Sequence, residues 1–193
     1  PECIPMPLGL HARAEHVVIQ TIAGAPNHLN DGTRADRLLP GCVVNRDAFD
    51  RALVDFSRVA GAQLRHDAVL AGLDADHSEA TLNQEGHSRK VHYRALVAAD
   101  GHASMVARLL GLPPLKKMYT RRYRVALHWP QDAVDVWITS RYPGGYGWLI
   151  PAGRDAVLGT GMDERVAHEA LDALHRQLAG AGLVGGEVLG QSA

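Results

Sequence analysis

Residues 142–161 read YPGGYGWLIPAGRDAVLGTG, and no other stretch restricts the fold as much. Tyr146 and Trp148 stand two apart, so on an extended strand both rings leave one face of a sheet, while Gly144, Gly145 and Gly147 let backbone or a ligand approach closely. Pro151 closes the string, and after seven residues Gly159 and Gly161 follow. Spacing alone leaves two readings open: a flat aromatic wall that lines a pocket, or an aromatic pair that only fills a β core.

The rest of the chain supplies elements around this sheet. HVVIQT at 16–21 is β-branched and reads as a strand, turned by GAPN at 24–27. Phe49, Ala52, Leu53, Phe56 and Val59 fall on one helical stripe behind an Asn45 cap, with Asp47 at the positive helix end, which predicts a helix over 47–60. Arg46 at its start is either a surface side chain or a guanidinium placed to pair with phosphate. Short segments at 62–65, 68–73, 79–82 and 90–93 alternate with turn residues at 74–76 and 85–87, as in a small antiparallel meander. Leu96 to Ala99 then read as a short buried strand running into Asp100, Gly101 and Ser104 and a helix from Met105. An Asp-Gly pair alone is usually a turn. After a buried strand and before a helix, it suits a phosphate or hydroxyl-rich ligand: the helix start offers N–H groups, Gly101 permits close approach, and Asp100 accepts from a sugar hydroxyl.

Beyond Leu112 and the prolines 113–114, residues 121–129 and 134–140 alternate as two strands joined at 130–132. With 147–150 and 156–158 they predict a curved antiparallel sheet. A last helix over 164–179, with Asp163 as cap, carries Val166, Ala170, Leu171, Leu174 and Leu178 as its core stripe. The string GAGLVG at 180–185 fits G-x-G-x-x-G, but a helix rather than a strand precedes it, so it reads as a helix C-cap and loop.

Composition narrows the function classes. Twenty basic against twenty-one acidic residues, with no basic block longer than Lys116-Lys117 or Arg121-Arg122, give no footprint for nucleic acid. No apolar run nears the roughly 20 residues that span a bilayer, so membrane contact is at most peripheral. Cys3 and Cys42 are isolated, which fits a reducing, cytoplasmic setting. The eleven histidines include no H-x-x-x-H pair, so no metal site is expected, and no nucleophile signature supports hydrolysis.

The string Tyr146-x-Trp148-x-Ile150-Pro151 with Gly159-x-Gly161 resembles the Y-x-W-x-F-P-x(7,8)-G-x-G signature of the geranylgeranyl reductase family of FAD-dependent oxidoreductases. Ile150 departs from it, toward the W-x-W-x-I-P motif of flavin-dependent halogenases. Val44-x-Arg46-x-x-Phe49-Asp50-x-x-Leu53 resembles a segment that FAD-dependent hydroxylases and reductases share, and Asp100-Gly101 with Ser104, Val106 and Arg108 resembles their D-G motif. Cys3 with Gly9 is loosely similar to a cysteine segment near the flavin.

The resemblance implies an α/β fold, as an α+β fragment: a partial Rossmann-like FAD-binding layer over 1–112, an antiparallel substrate-binding sheet over 113–163, and a helix and loop over 164–193. It implies that Arg46, Asp100, Gly101 and Ser104 serve FAD, while Tyr146, Trp148, Pro151, Gly159 and Gly161 line the place of an apolar, isoprenoid-like substrate. NADPH or a ferredoxin is the implied electron donor, and reduction of a C=C bond the implied reaction. A flavin monooxygenase or halogenase and a non-catalytic remnant are the alternatives. The family's opening G-x-G-x-x-G turn and its later G-D segment are not in these residues, so an internal piece of a longer enzyme, inactive alone, is expected.

Overall fold

In a computed structural model, which describes residues 15–192, the β-branched run after His16 becomes strand β1 (Val18–Gly24). Two short strands follow, β2 (Asn27–His28) and β3 (Arg34–Ala35), and then β4 (Leu38–Val44), which pairs antiparallel with β1. Cys3 lies outside the described residues. Helix α1 (Arg46–Val59) starts where its cap requires: the Asn45 side chain accepts from the Ala48 N–H at 3.1 Å. Its apolar stripe is present but not buried, with Phe49, Ala52 and Phe56 half-buried and Val59 72% exposed.

The chain divides into two compact units, one of residues up to Ala60 together with those from Met118 onward, the other Gly61–Lys117. In the second, β5 (Ala68–Asp74), β6 (Glu79–Gln84) and β7 (His87–His92) form the expected antiparallel meander in that order. Glu85 and Gly86, both at positive φ, make the two-residue turn between β6 and β7. Residues 62–65 form no strand, and neither do 96–99. The buried strand expected there is instead irregular and exposed, Val97 to 85%. Its apolar composition is strand-like, but no described strand pairs with its backbone, and an extended segment without a ladder partner is not a strand. A short helix, α2 (Met105–Leu109), closes this unit.

In the first unit the remaining strands are β8 (Tyr119–Leu127), β9 (Asp135–Trp137), β10 (Tyr146–Ala152), β11 (Asp155–Met162) and β12 (Val184–Ser192), with helix α3 (Glu164–Gly180) before the last. They build one seven-stranded sheet in the order β12-β8-β11-β10-β9-β2-β3, antiparallel except where β2 runs parallel to β9. The two strands expected on either side of 130–132 are therefore not neighbours: β8 pairs with β11 and β12, and β9 with β10 and β2. The segment after residue 131 instead follows the chain from β1 to β2, with Val134 N–H donating to Gly24 O and Val136 N–H to Pro26 O.

Alternation along the strands gives the sheet two faces. Leu149, Ala156, Leu158, Val125 and Tyr123 turn to one side and meet Ala167, Ala170, Leu171, Leu174 and Leu178 of α3. Burial of each of those leucines contributes about 1.5–3 kcal/mol. Val166, expected in that stripe, is 38% exposed, and Ala167 takes the inward position. Polar groups that enter this core are satisfied: Thr160 Oγ1 donates to Ala167 O at 3.0 Å, Tyr123 OH to Asp172 Oδ1 at 2.7 Å, and His175 Nε2 lies 2.9 Å from the Gly185 carbonyl, so that nitrogen carries the proton. After α3, Gly182 at φ +71 caps the helix as expected. Residues 184–192, read as loop, form β12 on the open edge of β8. Their glycines carry little strand propensity, so tertiary pairing decides this element. No helix among the described residues is long and apolar enough to cross a membrane.

Candidate functional site

Tyr146 and Trp148 share the face of the sheet opposite α3, because Gly147, Leu149 and Pro151 take the inward positions of β10. Their ring centroids are 5.5 Å apart at 51°. Antiparallel register then sets a glycine opposite each ring: Trp148 pairs with Gly159, and Tyr146 with Gly161. A Cβ on Gly159 would run into the Cζ2, Cε2 and Nε1 atoms of Trp148, and one on Gly161 would lie 2.9 Å from Met118 Sδ and 3.5 Å from Trp148 Cζ3. The indole thus lies flat over β11, on a floor that only glycine can leave open. The motif is a single cross-strand device, with aromatic side chains on one strand filling the space glycines vacate on the next. Tyr146 is 43% exposed and Trp148 half-buried, so the pair presents a surface. Pro151 stands on the other face, fully buried against the helix side, and supports the wall from behind.

Neighbouring groups on this face carry charge. Tyr123 and Val125 are buried on the α3 side of β8, so Arg122 and Arg124 project on the wall side, opposite Gly159 and Val157 of β11. Arg122 Nε donates to Ser192 Oγ, and Arg124 Nε lies 3.6 Å from Asp155 Oδ2. The sequence marks Arg122 only as half of a short basic pair. Period-two alternation counted inward from Tyr123 would have placed both on this face. Met118 was missed as well, and only the register could have found it.

Arg46 opens α1 with its side chain 74% exposed and makes two contacts to Asp50, at 3.3 and 3.2 Å. An exposed pair of this kind is worth about 0–1 kcal/mol, so the guanidinium is readily exchanged onto a stronger anion. In the other unit, Asp100 Oδ2 accepts from Met105 N–H at 2.7 Å and Val106 N–H at 3.2 Å, and Ser104 Oγ accepts from Ala107 N–H at 3.0 Å. Side-chain and backbone donors, Ser104 first and then Val106, hold the Asp100 carboxyl below the usual carboxylate range. The helix-start donors that sequence reading left open for a ligand are therefore taken by these two caps. Gly101, at φ +77 with nothing within 4 Å of where a Cβ would be, remains open. The structure brings together Tyr146, Trp148, Gly159 and Gly161, and separately Asp100, Gly101 and Ser104. Arg46 stands at the start of α1, in the unit that carries the aromatic pair. Within the second unit, the open Gly101 corner leaves room for the close approach that a bound cofactor needs.

Among the described residues no group of three His, Cys, Asp or Glu is placed to hold a metal ion. The model of the FAD binding domain family matches residues 10–170. Two digeranylgeranylglycerophospholipid reductases are similar in sequence. That of Methanocella arvoryzae is 30% identical over 132 residues, which are 63% of this chain and 34% of the relative. That of Methanospirillum hungatei JF-1 is 32% identical over 152 residues, 72% of this chain and 38% of the relative. The chain thus spans 34–38% of the length of these curated relatives. Among solved structures, a geranylgeranyl bacteriochlorophyll reductase-like protein from Thermoplasma acidophilum superposes with a TM-score of 0.78 at 20% identity, covering 96% of this chain and 53% of that one. The flavin-dependent halogenase CmlS does so with a TM-score of 0.68 at 19% identity, covering 91% and 36%. At these identities the likeness is one of fold.

Proposed function

We propose a function from one premise: this chain belongs to the FAD binding domain family, whose model covers residues 10–170. In a protein of the relatives' full length, the face carrying Tyr146 and Trp148 binds the apolar chain of an isoprenoid-type substrate, and the enzyme is an FAD-dependent reductase of its C=C bonds. The observation that carries this reading is the indole laid over Gly159 and Gly161, which makes an apolar surface on the side of the sheet that α3 does not cover. The similarity to reductases named for a digeranylgeranyl lipid supports the substrate class.

Bound FAD supplies the hydride chemistry, and NADPH is the proposed source of electrons. The chain's own residues bind and position. Arg46 offers a guanidinium to phosphate or to flavin oxygens. Gly101 lets the backbone approach, while Asp100 and Ser104 shape that approach by fixing the turn into α2. Tyr146 and Trp148 exclude water and orient the chain of the substrate, with Gly159 and Gly161 as their floor and Pro151 as backing.

The test is Trp148→Ala in a full-length protein carrying this chain. Loss of the wall removes apolar contact worth about 1–3 kcal/mol, so half-saturating substrate should rise about tenfold or more, while flavin reduction by the donor stays unchanged. A large fall in melting temperature with unchanged substrate saturation would return Trp148 to a core-filling role. Ile150 favours a second reading, a monooxygenase or halogenase, because it stands where the reductase signature carries Phe. Oxygen consumption coupled to substrate turnover would select that reading.

A further inference from the structure

On the α3 side of the same sheet, a cleft of about 430 Å³ opens between the turn after β2 and the segment after β9. His28, Asn30, Trp137, Ser140, Arg141 and Gln177 line it. It lies away from the aromatic wall, since Trp137 pairs with inward-facing Gly147 while Val136 pairs with Trp148. Its groups are held rather than loose. His28 Nε2 lies 2.6 Å from Asp135 Oδ1, and its ring stacks on Trp137 with centroids 4.9 Å apart and planes 12° from parallel. Ser140 N–H donates to Asn30 Oδ1 at 2.7 Å, which leaves the Asn30 amide N–H groups as donors. Arg141 Nη1 donates to Gln177 Oε1 at 2.7 Å, which anchors one arm of the guanidinium fork.

The chemistry of this lining is one-sided. It offers a guanidinium, an imidazole, two side-chain amides and three hydroxyls, and no acidic side chain lines it. Asp135, the acid next to His28, is already committed to that ring. The shallower groove beside it shares Arg141 and Gln177 but carries Glu169 together with Arg176, so its charges oppose one another. With no carboxylate in the lining itself, a held guanidinium beside the Asn30 N–H groups favours an oxyanion, because the Arg141 N–H groups not taken by Gln177 or Tyr142 donate to the oxygens of a phosphate or a carboxylate.

We propose that the His28–Arg141 cleft is a second binding site of this chain, for the phosphate or carboxylate group of a small polar ligand. Arg141 carries the charge, and the His28–Trp137 stack with Asn30 and Ser140 forms the rim. This site stands on its own residues and does not depend on the substrate assigned to the wall.

The experiment titrates the 193-residue chain with inorganic phosphate and, in a separate arm, with acetate, at constant ionic strength, following the His28 ring and the Trp137 indole N–H by NMR. Saturable shifts at both groups, half-complete at about 1–10 mM in at least one arm, are expected. The arm that saturates at lower concentration names the anion. Arg141→Gln should weaken binding about tenfold or more, Arg141→Lys should fall between, and Arg176→Gln should change it less than about twofold. Shifts that stay linear in both arms, or saturation unchanged in both Arg141 variants with the spectrum otherwise intact, would overturn the site.

Discussion

The two faces of the seven-stranded sheet solve the same problem in opposite ways. Against α3, side chains of strand and helix interdigitate until Leu149, Leu158, Leu171 and Leu174 are closed off from solvent. On the far face, glycines clear a floor on β11 and an indole lies down on it, leaving Tyr146 43% exposed. One arrangement maximises contact, and the other maximises a presentable surface. Strand β10 therefore supplies stability on its odd residues and an exposed surface on its even ones.

The comparison breaks most sharply at Leu174. Leu174→Ala empties a core position and should cost about 2–5 kcal/mol in a denaturant titration, while the near-ultraviolet signal of the wall persists. A cost below that of a surface substitution would mean that the helix face is not the stabilising one. Gly159→Ala attacks the other face. The new methyl displaces the Trp148 ring, so the cost should be about 1–3 kcal/mol, with a changed Trp emission and weaker binding of apolar ligand. An unchanged emission spectrum would show that the ring does not rest on that glycine. The smallest effect lies at Tyr123, where burial first, and the Asp172 hydrogen bond second, raise the phenol from 10.0 to about 12. Because the folded state holds the proton more tightly, this stabilisation is complete below pH 10.0 and fades as pH rises toward about 12. Tyr123→Phe should lose about 0.5–1.5 kcal/mol at neutral pH and show a shallower decline of melting temperature across that window. Parallel declines in both proteins would remove Tyr123 from the balance.

Much of this was legible in the residues, for reasons that can be named. The Asn45 cap and the stripe behind it placed α1 to within a residue, because capping and periodicity are local. The two-residue spacing of Tyr146 and Trp148 put both on one face, as strand geometry requires. What spacing could not reveal is the partner: that Gly159 lies under Trp148 follows from antiparallel register, which is set by the turn at 153–154 and not by either strand alone. For the same reason the join at 130–132 places β8 and β9 in one sheet without saying that β11 and β10 stand between them. Residues 96–99 have the apolar content of a strand, but content alone does not supply the ladder partner that a strand's backbone requires. β12 was missed in the opposite sense, since its glycine-rich sequence becomes a strand only when β8 offers it an edge. Asp100 and Ser104 read as ligand groups from their position before a helix, and the donors they meet in the structure are those of that helix.

The margins of the large sheet carry a last consequence. At one end β3 is two residues long, and at the other β12 slips register twice, around Val188, before it ends. An intruding chain needs several consecutive unpaired amides in line to add itself to a sheet. β3 is too short to present such a row, and the two slips in β12 break its alternation, so each of these described strands is a poor template for an added strand.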